Sequence, residues 1–194
     1  MNKKDRILTE AKRLFGTLGY LGFTLKQLAQ ACNMTSPALY YFYPSKADLF
    51  KECLLSEFES RREVTERCAE HSATLPEFVA QLVEEGIDVC EASHLRTGQA
   101  MGEIIHLPAD LREQIQEAWD RQLIAPVERF LERVCPNPTP GVSRYLLASY
   151  IIQIATYSAS QCTRFDRHEL STFFAIVAHS LEEAALVTPV STTP

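Results

Sequence analysis

Apolar side chains recur every three or four positions along most of the chain, and this spacing predicts an all-α fold. The clearest case is residues 4–18, where the apolar positions share one helical face and Gly19 follows as a natural end to the helix. The positions on that face are Ile7, Leu8, Ala11, Leu14, Phe15 and Leu18. About nine helices are expected in total.

Two short helices with a tight turn between them are predicted next. Thr24 and Gln27 form a capping box, which opens a helix that ends near Cys32. Asn33 enters the left-handed backbone region at low cost, so it suits a sharp corner between helices. Thr35 then supplies the cap of the second helix. Together with residues 4–18, these elements predict a compact three-helix domain.

The second short helix has the composition of a surface that enters a DNA groove. Its sequence, Ser-Pro-Ala-Leu-Tyr-Tyr, contains small and aromatic side chains and no acid. Leu39 is expected to face the core, which leaves the other side chains outward. Because phosphate repels carboxylates, such a helix is suited to the major groove. Ser45 and Asp48 form a second capping box, which opens the following helix.

The rest of the chain reads as further helices. Residues 59–70 are highly charged and are expected to project into solvent. Thr74 and Glu77 make a third capping box, and Pro126 should kink a long helix near Gln122. Residues 135–141, with three prolines and one glycine, form the clear loop.

The last two predicted helices, residues 142–162 and 168–187, indicate self-association. The first is apolar almost all round, so it must be covered on two sides, and this chain has too few other helices to do so. We therefore expect a homodimer with a four-helix interface. Its expected residues are Tyr145, Ile152, Phe173, Val177, Leu181 and Ala184. The tail, residues 188–194, is expected to be disordered.

Charge is distributed very unevenly along the sequence. The 194 residues carry a net charge of −6, which by itself argues against nucleic acid. Residues 1–51, however, hold eight basic and three acidic side chains, a balance of +5, whereas residues 52–194 stand at −11. Every lysine lies at or before position 51. A basic N-terminal segment, residues 1–51 (the head), followed by an acidic remainder, residues 52–194 (the body), is typical of a protein that touches DNA with one end.

Residues 5–55 resemble the DNA-binding domain of TetR-family transcriptional regulators. The matching positions, in order, are Ile7, Leu8, Thr9, Glu10, Ala11, Leu14, Phe15, Gly19, Tyr20, Thr24, Leu28, Ala29, Thr35, Leu39, Tyr40, Pro44, Ser45 and Lys46. The resemblance implies a helix-turn-helix domain over residues 1–50 and a helical ligand-binding and dimerisation domain over residues 51–187. It also implies a repressor released from palindromic double-stranded DNA by a small-molecule effector.

Nine residues are candidates for DNA contact. Ser36, Pro37 and Ala38 are expected at base edges, where carbon atoms of the last two can meet thymine methyl groups. Contacts that hold phosphate and fix the register are assigned to Tyr40, Tyr41, Thr24 and Lys46. Lys26 is a candidate for a guanine edge, as at the matching position in some relatives, and Thr35 completes the set.

The candidate effector site is a mixture of apolar and polar side chains in the body: Phe78, Met101, Ile104, His106, Trp119, Tyr150, Gln153 and Tyr157. Such a mixture fits a hydrophobic or aromatic effector, because pockets in helical bundles are mostly apolar with a few placed polar groups. It fits an ordinary helical core as well.

The sequence offers no support for an enzyme, a metal or a cofactor. The five histidines form no HExxH pattern, the six cysteines form no CxxC, and no Gly-rich phosphate loop is present. No signal peptide or long apolar run appears, so a cytoplasmic protein without membrane attachment is expected.

Two alternatives remain open. In the first, the body binds a protein partner instead of a metabolite, as in some TetR-like DNA-associated factors. A solid core with a large exposed apolar patch would favour that alternative, whereas a cavity would favour the effector. The second alternative is a thiol switch at Cys90, Cys135 or Cys162.

Overall fold

The computed structural model describes residues 2–136, 142–161 and 165–186, without the side chains of 159–161, 181 and 184–186. All regular structure in these ranges is helical, which confirms the all-α prediction. Most of the proline-rich loop, Cys162 and the tail 188–194 lie outside the described residues, as do the side chains of Leu181 and Ala184.

The described part of the chain contains ten α-helices. Their bounds are α1 Lys3–Leu18, α2 Leu25–Ala31, α3 Ser36–Phe42, α4 Lys46–His71, α5 Leu75–Ser93, α6 Thr97–Glu103, α7 Ala109–Trp119, α8 Ala125–Val134, α9 Arg144–Gln161 and α10 Arg167–Leu186. A 3-10 turn, Ile104–His106, follows α6. A π-helical turn, Asp120–Ile124, joins α7 to α8, so that these two count as one interrupted helix among nine.

The chain divides into two compact units. The first comprises Met1–Arg61 and Asp88–Asp120, and the second comprises Arg62–Ile87 and Arg121–Pro194. The division falls within α4, within α5 and at the end of α7. A boundary between a DNA-binding domain and a ligand-binding domain at residue 50 stays a prediction.

Local sequence signals fix the ends of the first three helices. Gly19 closes α1 with φ 73° and donates its N–H to the Phe15 carbonyl, 3.0 Å away. At the start of α2, Thr24 and Gln27 make the predicted reciprocal capping box. The corner after α2 is made by Asn33 at φ 51°, in the left-handed region that its short polar side chain tolerates.

Aromatic rings form the core behind these helices. Phe15 contacts Phe23 and Phe50, with ring centroids 4.8 and 4.7 Å apart, and Tyr20 lies 5.1 Å from Phe50. Phe50 belongs to α4, so the start of α4 closes the three-helix core. Tyr43 is buried, and desolvation of its hydroxyl raises the pKa of that group.

The end of α1 also packs against α6 and the segment before it. An ideal Cβ built on Gly16 would lie 2.0 Å from the carbonyl oxygen of His94, so the two backbones touch. The Tyr20 N–H donates to the Glu103 carboxylate at 2.9 Å, and the Tyr20 ring stacks on His106 at 6.2 Å. Both ends of the segment from His94 to His106 therefore contact the first helix and its C-terminal turn.

The charged stretch 59–70 differs from the expectation. We expected it to project into solvent, but Arg61, Val64, Thr65 and Cys68 are buried. With Glu57 they form one stripe at helical spacing, and three of the five are polar or charged. The prediction was wrong because a hydrophobicity pattern cannot reveal a buried stripe made of hydrogen-bonding side chains.

In the second unit, α8 packs along α9, and the rings of Phe78 and Phe130 stack with centroids 4.2 Å apart. The disturbance predicted near Gln122 takes the form of the π-helical turn just before Pro126.

None of the described helices combines the length and hydropathy needed to span a bilayer.

Candidate nucleic-acid interface

The outward face of α3 is formed by side chains that lie opposite its one buried residue. Leu39 is fully buried, and successive helical residues are rotated by about 100°. Pro37 and Tyr41 therefore point away from the core, with Ala38 and Tyr40 on the flanks. Tyr41 is 86% exposed and Tyr40 is 50% exposed, which is unusual for aromatic side chains that have no binding partner.

The two threonines assigned to DNA contact also cap helices. The Thr24 hydroxyl accepts from the Gln27 N–H at 3.3 Å and donates to the Gln27 side-chain oxygen at 3.0 Å. The Thr35 hydroxyl accepts from the Ala38 N–H at 3.4 Å. Thr24 is thus engaged both as donor and as acceptor, whereas the hydroxyl hydrogen of Thr35 is still available for a phosphate oxygen.

Lys46 is engaged within the protein. Its ammonium donates to the Phe23 carbonyl and lies over two aromatic rings, 4.3 Å from the Phe23 centroid and 5.1 Å from the Tyr20 centroid. Burial lowers the pKa of Lys46, while the Glu103 carboxylate raises it by a smaller amount. In this conformation Lys46 ties the start of α4 to the loop before α2.

Most other cations of residues 2–51 are engaged too. Lys4 pairs with Glu52, Lys12 with Glu57 and Arg13 with Glu10, while Arg6 donates to the Cys32 carbonyl and Lys51 to Gln114. Within the described residues, Lys3 and Lys26 are the basic side chains of this stretch that make no intramolecular hydrogen bond or ion pair. Both are exposed. The net charge of +5 counted over residues 1–51 therefore overstates the positive charge that these residues present to a ligand.

This arrangement of two capped helices, a left-handed corner and an outward uncharged helix matches a known family. Residues 7–53 match the model for bacterial regulatory proteins of the tetR family. The N-terminal domain, residues 7–53, therefore belongs to the TetR family of bacterial regulatory proteins. The resemblance stated from the sequence is thereby confirmed.

Relatives and solved structures are consistent with this assignment. Over 133 residues the chain is 25% identical to the biofilm operon icaADBC HTH-type negative transcriptional regulator IcaR of Staphylococcus aureus (strain Newman), covering 62% of this chain and 72% of IcaR. The crystal structure of AibR in complex with isovaleryl coenzyme A and operator DNA has the same fold. Its TM-score is 0.72 at 16% identity, over 91% of this chain and 97% of AibR.

A second solved structure extends the comparison. FadR from Bacillus subtilis, in complex with stearoyl-CoA, superposes with a TM-score of 0.69 at 14% identity, over 90% of this chain and 97% of FadR. At these identities the two structures show that most of the chain, well beyond residues 7–53, has the same fold as AibR and FadR.

A cavity of about 260 Å³ lies in the second unit. Its lining comes from α4 and from α8: Glu66, Ala69, Glu70, Pro126, Arg129, Phe130 and Arg133. Arg129 pairs with Glu66 at 3.4 Å, and Arg133 donates to the Ala69 and Ser72 carbonyls and lies 5.1 Å from the Phe130 ring centroid. Two acids spaced by four residues on α4, Glu66 and Glu70, and two arginines spaced by four on α8, Arg129 and Arg133, are the sequence signal for this cavity.

The eight residues predicted to bind an effector lie elsewhere, and none lines this cavity. Met101, Ile104, His106 and Trp119 belong to the first unit, where Trp119 packs edge-on against Phe58 at 5.4 Å. Phe78, Tyr150, Gln153 and Tyr157 belong to the second unit; Phe78 is fully buried, and the other three are exposed on α9. The effector site stays a prediction.

In the described part of the chain, no three His, Cys, Asp or Glu side chains are placed to hold a metal ion. Desolvation raises the pKa of Cys32, Cys53 and Cys68, which disfavours the reactive thiolate. Cys135 is buried and Cys90 half-buried, and Cys162 lies outside the described residues.

Proposed function

We propose that this TetR-family regulator is a repressor that binds a palindromic operator as a homodimer. The observation that carries the proposal is the outward, uncharged face of α3 behind the capped α2–α3 corner. Each protomer would place α3 in a major groove, with half-sites about 34–36 Å apart. The similarity to IcaR, a negative transcriptional regulator, supports repression.

Self-association is supported by apolar side chains exposed on the last two helices. Those on α9 and α10 are Tyr145, Leu146, Tyr150, Tyr157, Phe173 and Ile176, each with roughly half or more of its surface in solvent. A second copy would bury this surface, and a twofold interface would bring the same residues of both protomers together. Of the interface predicted from sequence, Ile152 is already covered by its own chain.

The effector is proposed to be a small molecule with a hydrophobic group. AibR and FadR, which share this fold, form complexes with isovaleryl coenzyme A and stearoyl-CoA. An effector releases DNA only if it binds the DNA-incompetent state more tightly than the DNA-bound state. CoA thioesters are therefore the first compounds to test.

The DNA-binding proposal is tested with the full-length protein and the DNA upstream of its own gene. Fluorescence anisotropy should detect tight binding to a palindrome there, at least about 10³-fold tighter than to a shuffled sequence of equal composition. Tyr41→Ala should weaken the specific complex, whereas Tyr41→Phe separates loss of the ring from loss of the hydroxyl. Equal affinity for palindrome and shuffled DNA would exclude a sequence-specific regulator.

The effector proposal is tested on the preformed complex. Isovaleryl-CoA and stearoyl-CoA are added at increasing concentration, with free coenzyme A as the control for the shared nucleotide part. Release by a thioester and not by coenzyme A supports a hydrophobic effector. If no thioester or apolar small molecule releases DNA, but a protein from the same cells does, the body binds a protein partner instead.

A further inference from the structure

The cavity between α4 and α8 has two walls of opposite charge. Glu66 and Glu70 lie about one turn apart on α4, and Arg129 and Arg133 are spaced in the same way on α8. Arg129 contacts Glu66, and Arg133 donates to the carbonyl of Ala69, the residue before Glu70. The two acids therefore lie opposite the two arginines, and the four side chains carry no net charge.

These charges are only partly neutralised by each other. Glu66 lies 2.5 Å from Arg62, and its contact with Arg129 is longer, at 3.4 Å. Arg133 donates to two backbone carbonyls near the end of α4, and it pairs with no carboxylate among the described residues. Glu70 makes no intramolecular hydrogen bond or ion pair in that part of the chain. Arg129 and Arg133 can therefore bind an anion, and Glu70 a cation, without breaking a short ion pair of the protein.

The rest of the cavity lining is apolar. It consists of Ala69, Pro126 and Phe130, of which the last two are buried. The Phe130 ring is held from behind by Phe78, so this wall is well packed. At about 260 Å³ the cavity is smaller than the about 300–1,000 Å³ typical of pockets for drug-sized ligands. Its size and lining suit a ligand as small as an amino acid, with an apolar part.

We propose that this cavity binds a free amino acid with an apolar side chain. Its carboxylate lies on Arg129 and Arg133, because guanidinium groups bind carboxylates through paired N–H donors. Its ammonium lies on Glu70. The polyanionic nucleotide part of coenzyme A does not suit this site, since Glu66 and Glu70 repel it. The site is separate from the hydrophobic effector site, because none of the residues predicted to bind that effector lines the cavity.

Isothermal titration calorimetry of the full chain with leucine and two analogues tests this proposal. Isocaproate lacks the ammonium of leucine and isoamylamine lacks its carboxylate, while both keep the branched carbon chain. We expect leucine to bind with a Kd of about 1 mM or lower, and each analogue to bind at least about tenfold more weakly, because each loses one charged contact. An analogue that binds as tightly as leucine overturns the zwitterion site. Absence of binding by leucine, methionine and phenylalanine at about 10 mM overturns the site altogether.

Variants that remove one charge assign each contact to a side chain. Glu70→Gln should weaken leucine binding about tenfold without weakening that of isocaproate, which has no ammonium. Arg129→Gln should weaken both ligands, because both carry the carboxylate. Glu63→Gln is the matched control, since it removes another exposed carboxylate of α4 that does not line the cavity, and it should change neither affinity. All three positions are exposed, so these variants should fold like the parent protein.

The outcomes are independent of DNA binding. Equal weakening of leucine and isocaproate by Glu70→Gln, or a loss in Glu63→Gln as large as in Glu70→Gln, overturns the assignment of the ammonium to Glu70. Because no DNA is present in these titrations, failure of the amino-acid site leaves the proposed repressor function intact. Failure to bind a palindromic operator, in turn, leaves the amino-acid site intact.

Discussion

Single backbone positions determine the geometry of the helix-turn-helix corner. Asn33 sits at φ 51°, where a side chain branched at Cβ is strongly disfavoured. Asn33→Gly should leave the free energy of unfolding unchanged within about 0.5 kcal/mol, whereas Asn33→Val should lower it by about 1–2 kcal/mol. Chemical denaturation measures both. Equal stability of the two variants would contradict the role assigned to this backbone angle.

A second backbone contact, between Gly16 and His94, leads to a prediction about the free energy of unfolding. Gly16→Ala would place a carbon 2.0 Å from the His94 carbonyl oxygen, so α1 and the segment before α6 must separate. We expect a loss of about 1–3 kcal/mol in unfolding free energy. Gly98→Ala and Gly102→Ala are the controls, because both lie in α6 with no atom near the added carbon. These should stabilise the protein by about 0.5–1 kcal/mol.

At the scale of elements, a buried ion pair joins α1 to α4. Lys12 and Glu57 approach to 2.7 Å, and their side chains are 13% and 1% exposed. Arg61, one turn further along α4, is also buried and donates to the Thr97 hydroxyl at 2.9 Å. Glu57 and Arg61 of α4 therefore face neighbouring helices and not solvent.

Removing one partner of this pair should be costly, because the other charge stays buried. Lys12→Met is expected to destabilise the fold by about 3–5 kcal/mol, and the double variant Lys12→Met, Glu57→Leu should recover most of that loss. Lys4→Met is the matched control: the Lys4–Glu52 pair is 2.8 Å long but 51% and 38% exposed, so about 1 kcal/mol or less is at stake. Comparable losses of unfolding free energy for Lys12→Met and Lys4→Met would contradict the claim that the buried pair matters more than the exposed one.

For the whole molecule, the exposed apolar face of α9 and α10 leads to a prediction about oligomeric state. Ile176→Glu should shift the protein from dimer toward monomer in sedimentation equilibrium, because a carboxylate would be buried at the proposed interface. Ile105→Glu is the control: Ile105 is 67% exposed and Ile176 62%, but Ile105 lies in the first unit. A monomeric parent protein at micromolar concentration would refute the dimer.

The number of basic side chains that are not engaged within the protein predicts how strongly the affinity for DNA depends on salt concentration. If Lys3 and Lys26 of each protomer are the cations that neutralise phosphate, a dimer contacts four phosphates this way, and log Kd changes with log salt concentration by a slope of about 4 or less. Were all eight basic residues of each head to contact DNA, the slope would exceed about 10. Affinity measured from 50 to 300 mM salt distinguishes the two cases.

The sequence by itself determined the local architecture of the head. Caps at Thr24, Thr35 and Ser45, the helix end at Gly19 and the left-handed residue Asn33 were all predicted, and each is present. These features depend on side chains and amides three or four residues apart, so one short stretch contains both partners. The all-α class follows from the same short-range periodicity.

Only the tertiary structure decided how the charges are used. Lys46, whose contact with phosphate stays a prediction, bonds the Phe23 carbonyl, 23 residues away. Lys12 meets Glu57 across 45 positions. The buried polar stripe on α4 and the cavity between α4 and α8 likewise join residues far apart in the chain. Whether a charge faces DNA, solvent or another helix depends on its neighbours in space, and no local pattern encodes them.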